Sequence, residues 1–247
     1  MDVRNFDRWP AYPSLRAEDL KDARLYANRG DQIASLPVPK GGKVAEIGVW
    51  RAAFSKTLVT TLKPRQFLAF DIFTGHTEKE WNGQTGEQLF EGLTHRKFYE
   101  KEMAPILDAA TVMTVVEGDS RETLRKYTDR SFDLVYVDGN HHYEFVKIDA
   151  ELAAEMTAPS GFLVFNDYML IDHNHAAYGV VPVVNDLVVN HGWRVVGYAL
   201  DWGLYCDIAL QRADAVSSHQ AEPSARIAQE PSFLERIRAS LGGRTTR

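Results

Sequence analysis

Two short polar segments carry the residue types that proton transfer needs. They are Asp138-Gly139-Asn140-His141-His142-Tyr143-Glu144 and Asn166-Asp167-Tyr168. A histidine titrates near neutral pH, so His141 could take a proton from an acceptor hydroxyl, with Asp138 three residues before it. The structural alternative is that His141 and His142 cap a helix and that Asp138 is its N-cap residue. Because both segments follow apolar runs, we favour a shared catalytic site.

An earlier apolar run leads into a loop that suits a cofactor. It ends in Glu46-Ile47-Gly48-Val49-Trp50-Arg51-Ala52-Ala53-Phe54-Ser55. Gly48 permits a tight turn and a close approach of the backbone to a ligand. Trp50 occupies the position where dinucleotide-binding loops have their second glycine, and it would block a pyrophosphate. The loop therefore disfavours NAD and favours a cofactor without phosphates, such as S-adenosylmethionine (SAM).

Acidic residues at successive strand ends also favour a cationic cofactor. Asp71 lies 23 residues after Gly48, where its carboxylate could accept both ribose hydroxyls. Gly118-Asp119-Ser120 suits the edge of an adenine ring. One acid at a strand end is weak evidence, since many are helix N-caps. The ordered set of Glu46, Asp71, Asp119 and Asp138 predicts a positively charged ligand.

Regular alternation of apolar runs and amphipathic segments begins near Lys43. We predict strands over 44–47, 66–70, 111–116, 132–137, 162–165, 193–200 and 204–210, and helices over 54–62, 144–156 and 180–190. This order predicts an α/β, doubly wound and mostly parallel sheet of seven strands. The last two predicted strands are too close in sequence for a crossover, so they should form an antiparallel hairpin at the edge of the sheet.

The segments around this sheet suggest three parts. Residues 1–39 should form an arm and a helical cap or lid, residues 40–212 the α/β domain, and residues 213–247 a polar tail with a short helix over 233–241. Four aromatic residues could form an acceptor wall or could pack an insertion on the core: Trp81, His95, Phe98 and Tyr99. His173 and His175 could form a second metal site, although solvated loop histidines are commoner.

Composition excludes several classes of function. The 247 residues carry a formal net charge of -6, so we expect neither a nucleic acid nor an anionic membrane as a partner. The single cysteine, Cys206, excludes an internal disulfide and suits a cytoplasmic protein. No apolar run reaches the ~20 residues that span a bilayer. The oligomeric state stays open, and a homo-oligomer is one alternative.

The motifs taken together resemble those of class I SAM-dependent methyltransferases. The resemblance covers roughly residues 40–212 and implies a Rossmann-like fold. The residues that it implies for SAM binding are Glu46, Gly48, Trp50, Ser55, Asp71, Asp119, Ser120 and Asp138. One departure is that the second glycine common in the first loop appears here as Ala52 or Ala53.

The catalytic segments resemble a bacterial subgroup of small-molecule methyltransferases with an Asp-Gly-x-His-x-Tyr-Glu segment and a later Asp-Tyr. Some relatives, including macrolide sugar O-methyltransferases, carry Mg²⁺ between these strand ends. The resemblance implies Asp138, Asn166 and Asp167 as metal ligands and His141 as the base. Those relatives usually have a carboxylate at the position of Asn166.

We therefore predict a SAM-dependent methyltransferase that acts on oxygen of a hydroxylated metabolite, sugar or natural product. One alternative is a metal-free N-methyltransferase on the same fold. Another is a non-catalytic SAM-binding protein, and a third, opposed by Trp50, is an NAD-type oxidoreductase.

Overall fold

The computed structural model describes residues 12–171, 177–200 and 205–215, which form one eight-stranded sheet with helices on both faces. The strands are β1 (Arg24–Tyr26), β2 (Lys43–Ile47), β3 (Gln66–Asp71), β4 (Val112–Glu117), β5 (Phe132–Val137), β6 (Thr157–Phe165), β7 (Trp193–Leu200) and β8 (Cys206–Arg212). The α-helices are α1 (Arg29–Ser35), α2 (Ala53–Leu62), α3 (Gly86–Leu89), α4 (His95–Met103), α5 (Ser120–Thr123), α6 (Tyr143–Met156) and α7 (Val180–Asn190). Short 3₁₀ helices span Ala17–Leu20, Gly75–Thr77 and Leu124–Tyr127.

The order of strands across the sheet is β1-β7-β8-β6-β5-β2-β3-β4. Neighbouring strands are parallel except where β8 pairs with β6 and with β7. This confirms the predicted mostly parallel α/β sheet with an antiparallel closing hairpin. The chain proceeds from β2 outward to β4 and then returns to β5 on the other side of β2. Such a reversal leaves a crevice at the carboxyl ends of the strands, where ligands of open α/β sheets bind.

The sheet has one strand more than the predicted seven. The added strand is β1, which pairs in parallel with β7. The predicted hairpin of β7 and β8 is therefore not at the edge, because β1 lies outside it. A three-residue strand is too short to show an alternating pattern, which explains why the sequence did not indicate it. Helix α1 follows, and its Ile33 is fully buried.

Two apolar cores cover the two faces of the sheet. Alternate residues of one strand point to opposite faces, so Ala45 and Val44 of β2 lie in different cores. One core includes residues of α6 and α7, and the other includes residues of α1, α2 and α4. The central strands, buried on both faces, therefore hold their carboxyl ends at fixed positions.

Several predicted features lie outside the described residues. They are the arm up to residue 11, the loop with His173 and His175, most of the tail and its helix over 233–241. Within the described part of the chain, no helix combines the length and apolarity that crossing a membrane requires.

Candidate cofactor and catalytic site

A cavity of about 720 Å³ opens beside the carboxyl ends of β2, β3, β4 and β5. This volume falls within the range of small-molecule sites. The predicted residues that line the cavity are Gly48, Trp50, Asp71, Asp119, Ser120, Asp138 and His141. Four other predicted residues do not line it: Glu46, Ser55, Asn166 and Asp167.

Gly48 lets the ends of β2 and β5 approach each other. Its φ is +82°, and a Cβ there would lie 2.1 Å from the carbonyl oxygen of Asp138. The backbone N–H of Asp138 donates to the carbonyl of Ile47 over 2.7 Å. A residue with a side chain would force these two strand ends apart. The predicted close approach of the Gly48 backbone to a ligand stays a prediction.

Both the backbone and the ring of Trp50 are held by neighbouring side chains. His95 donates from Nε2 to the carbonyl of Trp50 over 2.7 Å, because its Nδ1 accepts from the N–H of Gly75 over 3.3 Å. The ring centroid of Trp50 lies 5.3 Å from that of Trp81 and 5.4 Å from that of Phe90. These contacts hold the indole at the cavity wall.

The four aromatic residues considered as an acceptor wall divide into two groups. Trp81 lines the cavity and has 53% of its surface exposed. His95 also lines the cavity but is buried, whereas Phe98 and Tyr99 pack into apolar cores. Trp81 is thus the member of the four that offers an open ring face to a ligand.

Asp71 ends β3 and is held by three backbone amides. Its Oδ2 accepts from the N–H of Val49 over 2.9 Å and of Trp50 over 3.3 Å. Its Oδ1 accepts from the N–H of Phe73 over 2.7 Å. A carboxylate has about four acceptor positions, so about one remains, on Oδ1, for a hydroxyl donor in the cavity. Three amides fix the orientation of this side chain before any ligand binds.

Glu46 and Ser55 lie behind the cofactor loop rather than in the cavity wall. Both are buried, and the Ser55 hydroxyl donates to Oε2 of Glu46. The Tyr99 hydroxyl donates to Ser55 over 3.1 Å. Burial raises the pKa of Glu46 to about 8, against the opposing effects of the Ser55 hydrogen bond and the Arg29 charge. These residues connect β2, α2 and α4 beneath the loop.

Asp119 lines the cavity but is already paired with a cation. Nε of Arg121 donates to Oδ1 of Asp119 over 2.9 Å and to Oδ2 over 3.1 Å. The backbone N–H of Arg121 donates to the same Oδ1 over 2.9 Å, so Asp119 also caps α5. Hydrogen bonds from the Arg121 side chain lower the pKa of Asp119. The carboxylate predicted to face adenine is therefore engaged on both oxygens.

A neighbouring acid, Asp149, was not among the predicted residues. It lies on α6, lines the cavity and is 2% exposed. The signal that could have found it is its position in the helix, because Val146, Asp149, Ala150 and Ala153 form one buried stripe. A carboxylate on the apolar face of an amphipathic helix is unusual, because charged side chains are rarely buried unless they bind a partner.

The catalytic corner consists of Asp138, His141 and Asp167, and the structure brings all three together. Nε2 of His141 lies 3.6 Å from Oδ1 of Asp138 and 3.6 Å from Oδ2 of Asp167. The imidazole stacks on the ring of Tyr178, with centroids 4.6 Å apart and planes at 12°. Both carboxylates attract a proton on the ring, so this histidine sits where a positive charge is stabilised.

Asp138 is the acid of this corner that faces the cavity. Burial, and after it the charge of Asp167, raise the pKa of Asp138 well above its usual range. Its side chain keeps 27% of its surface exposed, so water in the open cavity moderates that rise. Two acids that oppose each other's ionisation favour a shared positive partner.

Asn166 belongs to a buried network behind the corner. Its Nδ2 donates to Oδ1 of Asp207 over 3.0 Å, and the Tyr136 hydroxyl donates to the other oxygen over 2.6 Å. Arg29 of α1 lies over the ring of Phe54 at 4.4 Å and reaches the Tyr136 hydroxyl at 3.4 Å. Arg29 and Asp207 were not predicted as site residues. No local motif marks them, because their partners are distant in sequence.

The magnesium site of Asp138, Asn166 and Asp167 stays a prediction. The His141 ring lies near both carboxylates, and Asn166 directs its amide N–H at Asp207. Over residues 12–171, 177–200 and 205–215, no group of three or more His, Cys, Asp or Glu side chains could hold a metal ion. Magnesium prefers six oxygen ligands in near-octahedral geometry.

Comparison with known proteins identifies the family to which these motifs belong. A family model described as a methyltransferase domain matches residues 45–168, about half of the chain. The match contains the cofactor loop, Asp71, Asp119 and the catalytic corner. A search among curated proteins found no match.

Solved methyltransferase structures share the fold at low sequence identity. An O-methyltransferase family protein from Burkholderia thailandensis is 16% identical, with a TM-score of 0.52, over 74% of this chain and 55% of that one. The N-methyltransferase NodS from Bradyrhizobium japonicum WM9 is 15% identical, with a TM-score of 0.51, over 74% and 94%. NodS has also been solved with S-adenosyl-L-homocysteine (SAH). The B. subtilis tRNA methyltransferase TrmK is 12% identical, with a TM-score of 0.50, over 80% and 71%.

Proposed function

The chain belongs to the methyltransferase-domain family and is a class I SAM-dependent methyltransferase, and from that premise we propose that it methylates a hydroxyl oxygen of a small molecule. The observation that carries the proposal is the position of His141, at the cavity wall and 3.6 Å from each of two carboxylates. An alcohol keeps its proton near pH 7 and needs a base as it becomes a nucleophile.

The catalytic corner would act by holding a proton. When bound, SAM supplies a methyl group on a sulfonium, whose sulfur keeps the electron pair of the broken C–S bond. The acceptor oxygen forms the new bond to the methyl carbon, and its proton passes to His141. Asp138 and Asp167 then stabilise the imidazolium, and the stacked Tyr178 holds the ring in orientation.

We place the cofactor along the strand ends, with its ribose at Asp71 and its adenine beside Ser120. The acceptor position that remains on Oδ1 of the amide-held Asp71 supports the first assignment. Gly48 and Trp50 would line the methionine side, and Glu46 and Ser55 would hold the loop from behind. The acidic lining suits the positive sulfonium.

A small-molecule acceptor is supported by charge and by shape. The net charge of -6 and the acids around the cavity would repel a polyphosphate backbone. A cofactor in the cavity of about 720 Å³ would leave limited further space. An RNA acceptor would instead produce methyl transfer to RNA in the assay below, and would contradict the proposal.

The proposed mechanism takes no step through Mg²⁺. We expect turnover to be unchanged after treatment with EDTA and dialysis. A loss of turnover that added Mg²⁺ restores would show that Asp138, Asn166 and Asp167 bind a metal in spite of the hydrogen bond from Asn166 to Asp207.

The experiment that tests the proposal compares two adjacent histidines. With labelled SAM, the protein is assayed against hydroxylated small molecules, matching amines and bulk RNA, and SAH release is measured. For an accepted alcohol, His141→Ala should lower turnover by on the order of 10²–10⁴ with nearly unchanged SAM affinity. The neighbouring His142→Ala is the matched control and should retain most activity.

Three outcomes would contradict the assignment. Methyl transfer to amines alone would replace O-methylation with N-methylation. Equal turnover in His141→Ala and in the wild type, with a verified acceptor, would show that His141 is not the base; the capping alternative has no support either, because His142 is the N-cap residue of α6 and makes no side-chain cap hydrogen bond. SAM binding without any transfer would support the non-catalytic alternative.

A further inference from the structure

Asp149 is a buried carboxylate in the cavity wall with an unused oxygen. The residue is 2% exposed, its carboxylate is hydrogen-bonded by the Ser120 side chain, and its Oδ1 has no hydrogen-bond partner among the residues that the structure describes. Its Oδ2 is close to the backbone, since a Cβ on Gly139 would lie 3.2 Å from it. A buried acceptor without a partner is unfavourable by itself, so it points to a donor that comes from a ligand.

The residues around Asp149 could bind a flat ring that carries polar groups on its edge. Phe145 lies one helical turn before it on α6, and both residues line the cavity with Ser120. The guanidinium of Arg121 lies 5.0 Å from the centre of the Phe145 ring. An aromatic face, a hydroxyl and a carboxylate together suit a purine with exocyclic N–H groups.

The alternative acceptor for such a purine is Asp119, which is less available. Arg121 holds both of its oxygens through side-chain and backbone donors. A ligand amino group would have to share this ion pair or displace it. At Asp149 the same group would satisfy an oxygen that has no other donor among the described residues.

We propose that Asp149, rather than Asp119, recognises the exocyclic amino group of the cofactor's adenine through Oδ1. The inference rests on the proposed placement of SAM in this cavity. It makes Asp149 a specificity residue for the cofactor, distinct from the residues that hold ribose or transfer the proton.

The test compares binding of two ligands by calorimetry: SAH and its analogue that lacks only the exocyclic amino group of adenine. We expect the wild type to prefer SAH by about 10-fold to 100-fold, as for a hydrogen bond to a charged acceptor. Equal affinity of the wild type for the two ligands would overturn the proposal without any variant.

Variants assign the preference to one acid. Asp149→Leu, which is close in size, should lose most of the preference, mainly by weakening SAH. Asp149→Asn should keep it, because the amide oxygen still accepts. Asp119→Leu should also keep it, and a preference that disappears there while surviving in Asp149→Leu would assign recognition to Asp119.

The failure of this inference can be distinguished from the failure of the proposed function. If the wild type binds neither ligand, the cofactor placement itself is wrong. If it binds SAH and methylates an alcohol but Asp149→Leu, shown to be folded by circular dichroism, keeps the full preference, only the role of Asp149 is wrong. If Asp149→Leu does not fold, Asp149→Ala, which also removes the acceptor, takes its place.

Discussion

The two ends of the cavity hold their carboxylates in different ways. At the cofactor end, Asp71 is fixed by three backbone amides. At the catalytic corner, Asp138 and Asp167 face the same histidine at 3.6 Å, and burial raises the pKa of Asp138. The first arrangement depends on the shape of the backbone, whereas the second depends on where a proton resides.

This difference suits the two tasks that we assign. A cofactor that has the same structure in every turnover is bound best by a rigid set of donors and acceptors. A proton that arrives and leaves needs groups whose charges are not already compensated. We therefore expect the cofactor end to be most sensitive to backbone geometry and the catalytic corner to charge and ring orientation.

The largest effect should come from Gly48→Ala. The new Cβ would overlap the carbonyl oxygen of Asp138 at 2.1 Å, at a φ of +82° that disfavours side chains. We expect a loss of about 2–5 kcal/mol in the free energy of unfolding, from overpacking and backbone strain together. SAM affinity should fall as well, because the loop moves. Urea unfolding and calorimetry measure the two quantities.

Gly83→Ala is the matched control for this variant. Its φ is +79°, and nothing lies within 4 Å of the added Cβ. It should carry only the strain of the left-handed backbone, about 1–2 kcal/mol, with unchanged SAM affinity. Equal losses in the two variants would show that close approach of β2 and β5 at Gly48 is unimportant.

A smaller effect concerns the ionisation of Glu46 and its influence on the stability of the protein. It lies at the cofactor end, yet burial raises its pKa to about 8, from an ordinary 4.5. The folded protein thus binds this proton more tightly than the unfolded chain does. The resulting stabilisation is complete below about pH 4.5 and is lost as the pH rises through 8. Glu46→Gln should remove this loss, on the order of a few kcal/mol.

The measurement is the free energy of unfolding between pH 5 and pH 8.5. The wild type should lose stability over this interval, and Glu46→Gln should lose less. In Glu46→Gln the free energy of unfolding should still fall somewhat with pH, because the pKa of Asp138 is also raised. The exposed Glu117→Gln is the control and should keep the wild-type slope. An unchanged slope in Glu46→Gln would mean that Glu46 is ionised throughout this range.

The sequence predicted the fold, and which strand ends carry acidic residues, better than the contacts that those residues make. Strands β5 and β7 have the predicted bounds, because long apolar or alternating runs mark buried strands. Asp71 was predicted because its position at a strand end follows from local pattern. Strand β1 was missed because three residues show no period, and its pairing with β7 moved the predicted hairpin from the edge.

The remaining site residues depend on contacts between distant segments. Asp207 meets Tyr136 and Asn166 only after β8 inserts between β6 and β7. The engagement of Asp119 by Arg121 is local, but the sequence contains several other acids that could attract that arginine. Prediction from spacing therefore found which strand ends carry acids, while the pairing of each acid required the tertiary structure.

The smallest expected effect concerns the ring of Tyr178, which stacks on His141 with centroids 4.6 Å apart and an interplanar angle of 12°. An aromatic pair of this kind contributes about 0.5–1.5 kcal/mol beyond its buried area. If the stack orients the base, Tyr178→Leu should lower turnover roughly 2-fold to 10-fold, and Tyr178→Phe should restore it because the ring is kept. SAM affinity should stay the same in both variants, since the contact serves the acceptor side. If Tyr178→Phe is as damaging as Tyr178→Leu, the hydroxyl matters and the stacked ring does not. A loss of SAM affinity in both variants would show that Tyr178 serves the cofactor, and the functional division between the two ends would then be wrong.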